Sequence, residues 1–467
     1  MQKHDGSSLN VLLFTADDLG CDSLGCFGST MPDISPHLDA FARESMRFEN
    51  AHVNTAICMP SRSVLNTGRY SHNNGAMGFF KAFDSTPTII ETLSDAGYLT
   101  GVLGKVDHST PKESITWDFS YDQSDLGHGR SPQKYASYCR DFFEACRNEN
   151  KPFYLMVNSH DPHRPFYNPE EGPSGGAEVP SRLYDPDEIE VPGFLPDLPL
   201  VRKEVSWYYN SVKRLDDTFG AVMKVLQEAG HADDTLVAFL SDNGMAVPFA
   251  KCNTYFASTH TPWLTRWPGE AQGGSTCDDF ISGIDFLPTV LDAIRLPMLD
   301  GMDGRSFVPL LKGEAEEGRD FVFTQIDSKA GGAAVPMRCV QNKQFGYIFN
   351  MWVRDEYRYR NNNEGLCMKA MEEAAKDDPA IAERVRMHRY RVPEELYDLE
   401  ADPDCLNNLM DDPAYEVQRD AMRAALKHQM EESRDPVLEA FENRASSDIV
   451  DRVFRATYPD HVDRKKN

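Results

Sequence analysis

The chain has 467 residues, 40% of them hydrophobic, and sets 74 Asp and Glu against 48 Lys and Arg for a formal charge of −26. Such acidity argues against a general partner of nucleic acid or of an anionic membrane, and the absence of any run of about 18 apolar residues excludes a helical membrane span. The length suits one large domain joined to a smaller one.

In chain order, the polar start Met1-Gln2-Lys3-His4-Asp5-Gly6 leads directly into an apolar run at Val11. No secretion signal precedes that run. The expectation is therefore a cytoplasmic protein, or a periplasmic or secreted one whose signal has been removed. Ten cysteines are spread from Cys21 to Cys405 without a CxxC or a paired framework. Cys139 and Cys146 fall on one face of a helical segment, too far apart to bridge, and buried thiols in a reducing compartment fit best. Apolar runs predict strands over 10–15, 99–103, 153–157 and 235–240. Amphipathic spacing predicts helices over 37–46, 87–96 and 205–228. This alternation implies an α/β fold with a mostly parallel sheet covered by helices on both faces.

In such a sheet, ligands collect where the strands end. Asp17 and Asp18 follow the first strand; Lys105, Asp107 and His108 follow the second. His160, Asp161, His163 and Arg164 follow the third, and Asp242 and Asn243 the fourth. Singly, each reads as a cap or a turn. Together they describe one site. The hard oxygens of Asp17, Asp18, Asp242 and Asn243 suit Ca2+, with Mg2+ as the alternative. Zinc fits less well, because no closely spaced His or Cys pair accompanies them. The histidines and Lys105 are left to handle protons and anionic charge.

The segment Cys58-Met59-Pro60-Ser61-Arg62, followed by Thr67-Gly68-Arg69, is unusual. By composition, its four key residues at those spacings should arise in on the order of one chain per thousand of this length. As structure alone it is a buried cysteine ahead of a helix with Pro60 in its first turn. The segment resembles the signature of the type I sulfatases, whose cysteine is oxidised to formylglycine by a maturation enzyme. Further matches are Pro36-His37-Leu38-Asp39, Gly104-Lys105, His160-Asp161-Pro162-His163, Ser241-Asp242-Asn243-Gly244 and Glu395-Leu396-Tyr397-Asp398-Leu399.

The resemblance implies an alkaline-phosphatase-like fold and a hydrolase that removes sulfate through a hydrated aldehyde. One hydroxyl of that group attacks sulfur, and the other expels sulfate afterwards. It assigns the nucleophile to Cys58, its fixation to Arg62 and proton acceptance to Asp242. Sulfate binding falls to Lys105, Lys251 and His163, protonation of the leaving group to His163, and the final proton to His108. His160 is either a substrate contact or a structural residue, and Arg164 meets other anionic groups of the sugar. Within the family, His160 to Arg164, Pro336-Met337-Arg338 and the stretch 388–398 are most similar to the branch that cleaves sulfamates in heparan-type chains. This points to an N-sulfated glucosamine at a non-reducing end. Three departures stand out: Lys105 and His108 are separated by two residues where the family has one, Lys251 replaces an arginine, and Asn66 a leucine.

Rival readings are an O-sulfatase acting on another sulfated glycan or an aryl sulfate, a phosphonate or phosphodiester hydrolase of the same superfamily, and an inactive glycan-binding relative. A Pro-rich stretch over 168–200 reads as a wall of the pocket, its alternative being a surface wrap. The catalytic domain is expected over 1–330, and over 331–467 a C-terminal subdomain with a small antiparallel sheet. Its helical tail, from about 436, would pack on its own domain or make a homo-oligomer.

Overall fold

The computed structural model describes residues 9–330, 332–353, 357–361 and 364–459. The polar start Met1 to Gly6, the boundary position Gly331 and the end of the tail, 460–467, lie outside the described residues.

Eight strands form the large sheet: β1 (Asn10–Asp17), β2 (Met46–His52), β3 (Leu99–Leu103), β4 (Phe119–Tyr121), β5 (Phe153–Pro162), β6 (Thr235–Ser241), β7 (Trp263–Arg266) and β8 (Thr276–Ser282). Their spatial order is β4-β3-β5-β1-β6-β7-β2-β8. All neighbours run parallel except β7, which is antiparallel to both β6 and β2. The apolar run of β1 serves two cores at once, as strand alternation requires. Leu12 and Phe14 face a core with Phe41, Phe219 and Phe239, while Val11 and Leu13 face one with Tyr154, Met156 and Leu236.

The sequence-based elements differ from the structure mainly at boundaries. The expected helix 37–46 stops at Ala42, and Met46 opens β2 instead. There Met46 and Phe48 alternate inward with half-buried Arg47 and Glu49, a pattern that charged side chains obscure. The expected strand 153–157 continues to Pro162, and the helix at 205 begins at Pro199. All ten cysteines are free, Cys139 and Cys146 both buried on one helix. No helix of the described residues is long and apolar enough to cross a membrane.

A second, antiparallel sheet has the order β12-β11-β10-β9, built from β9 (Val322–Ser328), β10 (Ala334–Gln341), β11 (Phe345–Asn350) and β12 (Glu394–Asp398). It takes its first strand from before position 331. The helix Glu416–Glu432 buries Met422, Leu426 and Met430 on this sheet, and the tail helix Ser447–Thr457 adds Val453 and Phe454 to the same core. Tyr458 closes the contact by donating to Asp327 at 2.6 Å. The apolar face of the tail is thus covered by its own chain.

Candidate active site

Strand register brings the polar ends together. Thr15 pairs with Asn158 across β1 and β5, Ala16 with Ser241 across β1 and β6, and Leu103 with Val157 across β3 and β5. The residues that follow must therefore converge at one edge of the sheet. Asp17, Asp18, Cys58, Arg62, Lys105, Asp242, Asn243 and Lys251 all lie there, and all are buried.

Cys58 is the first residue of the helix Cys58–Thr67, which has no side-chain N-cap and is buried along its whole length. Its free first-turn N–H groups and positive dipole end favour an anion beside residue 58. The Cys58 Sγ is 3.4 Å from Asp17 Oδ1, 3.9 Å from Asp18 Oδ1 and 3.3 Å from Lys251 Nζ. Burial first, then Asp17, push its thiol well above the ordinary range, and Lys251 only partly offsets them. The unmodified thiol is therefore protonated at neutral pH and a poor nucleophile.

Arg62, one turn further along the helix, donates to Asp242 Oδ2 from Nε (3.1 Å) and Nη2 (2.8 Å). Its Nη1 reaches Thr15 Oγ1 at 2.7 Å and Asn158 Oδ1 at 2.5 Å. Burial opposes its charge, but Asp242 and Asp17 more than compensate. Thr15 and Asn158 escaped sequence reasoning. The available signal was a fully buried polar residue inside each of two apolar strands. Asn66 Nδ2, at one of the departures from the family pattern, donates to Arg62 O (2.9 Å) and Ser109 O (3.2 Å). It ties the helix Cys58–Thr67 to the short helix Val106–Ser109.

Two ammonium groups cover the two neighbouring aspartates. Lys105 pairs with Asp17, and Lys251 pairs with Asp18. Burial works against ionisation of Asp17, yet Lys105, His163 and Arg62 pull its carboxyl well below the usual range. Asp242 is pushed the other way, to about 7, by burial and Asp17, with Arg62 opposing. Backbone conformation sets both aspartate and lysine: Asp18 has φ of 72° and Lys105 of 49°. Left-handed non-glycine residues cost about 1–3 kcal/mol and need surrounding support. The Asp18 N–H donates to Asp242 Oδ1 (3.1 Å) and its Oδ1 accepts from Asn243 Nδ2 (2.7 Å). The Lys105 N–H donates to His160 Nε2 at 3.3 Å. Gly104 before it admits no side chain, since a Cβ there would sit 2.3 Å from Asn158 O.

His160 thus holds the Lys105 backbone while also lining the cleft, and burial and Lys105 keep it neutral. His163 Nδ1 lies 2.5 Å from Arg164 O, which fixes the proton on that nitrogen and turns Nε2 toward Asp18 Oδ2, 3.7 Å away. Burial lowers its pKa, with Asp18 and Asp17 countering. His108 is lowered to about 4 by burial and Lys105, and its Nδ1 is buried without a partner. Arg164 is committed to Glu204 (2.6 Å) and Ala246 O (2.9 Å) and lies over the Phe166 ring. Its Nη2 has no hydrogen-bond partner, and the residue lines the cleft beside Lys105. A cleft of about 430 Å³ opens beside Lys105, His160, His163 and Arg164. The first part of the Pro-rich stretch (Asn168, Glu171, Pro173) walls it, while Tyr184, Ile189 and Phe194 further on pack into the core.

The cluster suits a hard divalent cation. Ligand atoms of Asp17, Asp18, Cys58 and His163 lie within 4.8 Å of one another. Asp18 Oδ2 and Asn243 Oδ1 are buried oxygens without a hydrogen-bond donor, and Asp17 Oδ2 meets the Lys105 ammonium. Asp242 stands beside them with its oxygens already engaged by Arg62 and the Asp18 N–H. Three carboxylates face three cationic side chains, so a bound divalent ion would leave a surplus of positive charge for an anionic substrate to meet.

A sulfatase family model matches residues 9–296, and a model described as N-sulphoglucosamine sulphohydrolase, C-terminal, matches residues 246–365. N-sulphoglucosamine sulphohydrolase of Homo sapiens is 31% identical, over 91% of this chain and 91% of its own. Among solved structures, a protein in complex with its substrate D-glucosamine-2-N,6-O-disulfate superimposes with a TM-score of 0.69 at 17% identity, covering 92% of this chain and 98% of its own. The phosphonate monoester hydrolase of Agrobacterium radiobacter gives 0.66 at 20% identity, covering 91% and 96%. At those identities the two structures establish a common fold alone. The family model goes further, since it spans Cys58 and all four strand ends, and the human relative is similar over nine-tenths of the chain: the chain belongs to the sulfatase family.

Proposed function

We propose that this sulfatase hydrolyses the N-sulfate of a glucosamine at the non-reducing end of a heparan-type saccharide. The observation that carries the reaction is the setting of Cys58 at a helix N-terminus, with Lys251 at 3.3 Å and the Lys105–Asp17 pair beside it. The substrate class is supported by the human relative, whose name specifies N-sulphoglucosamine, and by the match to its C-terminal model.

Sulfatases generally use formylglycine and a divalent metal. In this reading Cys58 is the precursor of the aldehyde, converted by a maturation enzyme, and Asp17, Asp18, Asp242 and Asn243 hold Ca2+. When bound, the ion supplies Lewis-acid polarisation of a sulfate oxygen and lowers the pKa of the attacking hydroxyl. Lys105, Lys251 and His163 bind the remaining sulfate oxygens. Asp242 accepts the proton of the nucleophile, and Arg62 fixes Asp242 in place. His163, in the doubly protonated form that the neighbouring Asp18 and Asp17 favour, delivers a proton from Nε2 to the departing nitrogen or oxygen. His108, neutral because its pKa is low, takes the last proton as sulfate leaves.

The test is sulfate release from N-sulfoglucosamine, glucosamine 6-sulfate and an aryl sulfate, beside hydrolysis of an aryl phosphodiester. Release from N-sulfoglucosamine at the highest kcat/KM is expected. Release from O-sulfated sugars only would make the enzyme an O-sulfatase. A preference for the phosphodiester would overturn the reading altogether.

A further inference from the structure

Between the helices Ser71–Asn74 and Ile89–Asp95 the chain exposes Phe79, Phe80 and Phe83, at 37%, 48% and 56%. Among the described residues, no other two adjacent positions both leave large apolar side chains exposed. Keeping such a pair in water is unfavourable unless something covers it in use.

The segment is tied to the catalytic apparatus on two sides. Lys81 Nζ donates to Asp107 O (2.9 Å), Asp107 Oδ1 (2.8 Å) and Thr110 O (2.9 Å), fastening it to the helix that carries His108. The Phe83 N–H donates to Asn74 O (2.8 Å), and Asn74 Nδ2 to Thr67 Oγ1 (3.0 Å) at the end of the nucleophile helix. The Phe79 ring meets the His108 ring edge-on at 5.4 Å. Phe80 and Ser328, at the end of β9, close on Gly78 so tightly that a Cβ there would sit 2.9 Å from one and 3.1 Å from the other. Lys329 follows, 5.5 Å over the Tyr359 ring, whose hydroxyl donates to Cys252 O beside Lys251. The strip thus borders His108 on one side and the end of β9 on the other.

We infer that Phe79 and Phe80 form an aromatic lip that stacks on the C–H face of a pyranose ring of the substrate; this rests on the sugar reading above. The charged cluster grips the sulfate group but offers nothing to the apolar face of a sugar. The negative face of an aromatic ring meets polarised C–H groups well, and a segment anchored through Lys81 loses little freedom on binding. An uncharged grip also suits an enzyme whose net charge of −26 repels an anionic glycan at long range.

The experiment compares kcat and KM of Phe79→Ala, Phe80→Ala and the double variant with the unaltered enzyme. The substrate is whichever of N-sulfoglucosamine and glucosamine 6-sulfate the unaltered enzyme turns over. Expected is a rise in KM of about tenfold in the double variant with kcat changed less than about threefold. Phe79→Trp and Phe80→Tyr should restore KM. Should the double variant fail to fold, Phe80→Ala alone carries the expectation, as the more exposed of the two. KM within about twofold of the unaltered enzyme overturns the lip, as does loss confined to kcat, which would mean a disturbed His108. A changed mass in solution with KM unaltered overturns it in favour of an interface between copies. No sulfate release by the unaltered enzyme from either sugar overturns the sugar reading itself, a result distinct from all of these.

Discussion

At the scale of single residues, the site depends on groups with few substitutes. Arg62 binds Asp242 through two nitrogens of one plane and Thr15 and Asn158 through the third, which a point charge cannot reproduce. Arg62→Lys should lower kcat/KM by about 100-fold or more while the chain stays folded; activity within threefold of wild type would remove Arg62 from the machinery. Cys58→Ala should bind metal and melt near wild type yet turn nothing over. Cys58→Ser should accept sulfate once and stall, for want of a second hydroxyl. Protein made without a maturation enzyme should be nearly inactive, and peptide mass spectrometry of active enzyme should find the aldehyde at residue 58. Multiple turnovers by a homogeneous thiol would refute that chemistry. Asp17→Ala and Asp242→Ala should both lose bound calcium, measured by elemental analysis, together with turnover. Unchanged metal content in either variant would show that the ligand set is misassigned.

At the scale of elements, the helix Pro379–Tyr390 carries a buried histidine whose titration belongs to stability. His388 lies against the rings of Phe249 and Tyr359, with its Nε2 3.9 Å from Glu364 Oε1. Burial, with Arg391 and Arg389 adding to it against Glu364, lowers its pKa to about 4. The unfolded chain would protonate it near 6.5, so between those values the unfolded state binds more protons. Its contribution is therefore complete above about pH 6.5 and is lost as pH falls toward 4, a total on the order of 3 kcal/mol. The denaturation midpoint should drop across that window, and His388→Gln should flatten part of the slope. A wild-type midpoint independent of pH from 7 to 4 would contradict this assignment. At the other end of the chain, helix limits are harder to read from sequence than helix existence. Capping and tertiary contacts, such as Ser45 donating to Phe41 O where the helix Pro36–Ala42 gives way to β2, set the limits.

For the whole molecule, the second sheet and the tail are joined by a buried ionic knot. Arg338 on β10 pairs with Asp327 on β9 and with Asp435 ahead of the tail helices, and it also donates to Met337 O. Its charge is fully ionised despite burial, held there by Asp327 and Asp435. Removing one member of such a knot leaves unpaired buried charge. Arg338→Ala should accordingly cost about 3–5 kcal/mol in chemical denaturation. A loss below about 1 kcal/mol would mean the apolar contacts of Val453 and Phe454 carry the tail by themselves.

The sequence by itself determined the α/β alternation, the polar clusters at the strand ends and the motif around Cys58. These depend on local periodicity and on residue types whose spacing survives in one dimension. It also indicated that Lys105, His108, His160 and His163 would meet the aspartates, because a parallel sheet gathers its strand ends at one edge. Only the tertiary structure decided how the charges are shared. Arg164 turns to Glu204, His160 supports Lys105, and Thr15 and Asn158 hold Arg62 in place. Pairing among buried groups is chosen by three-dimensional proximity and by the cost of leaving any charge unpaired. A linear pattern encodes neither.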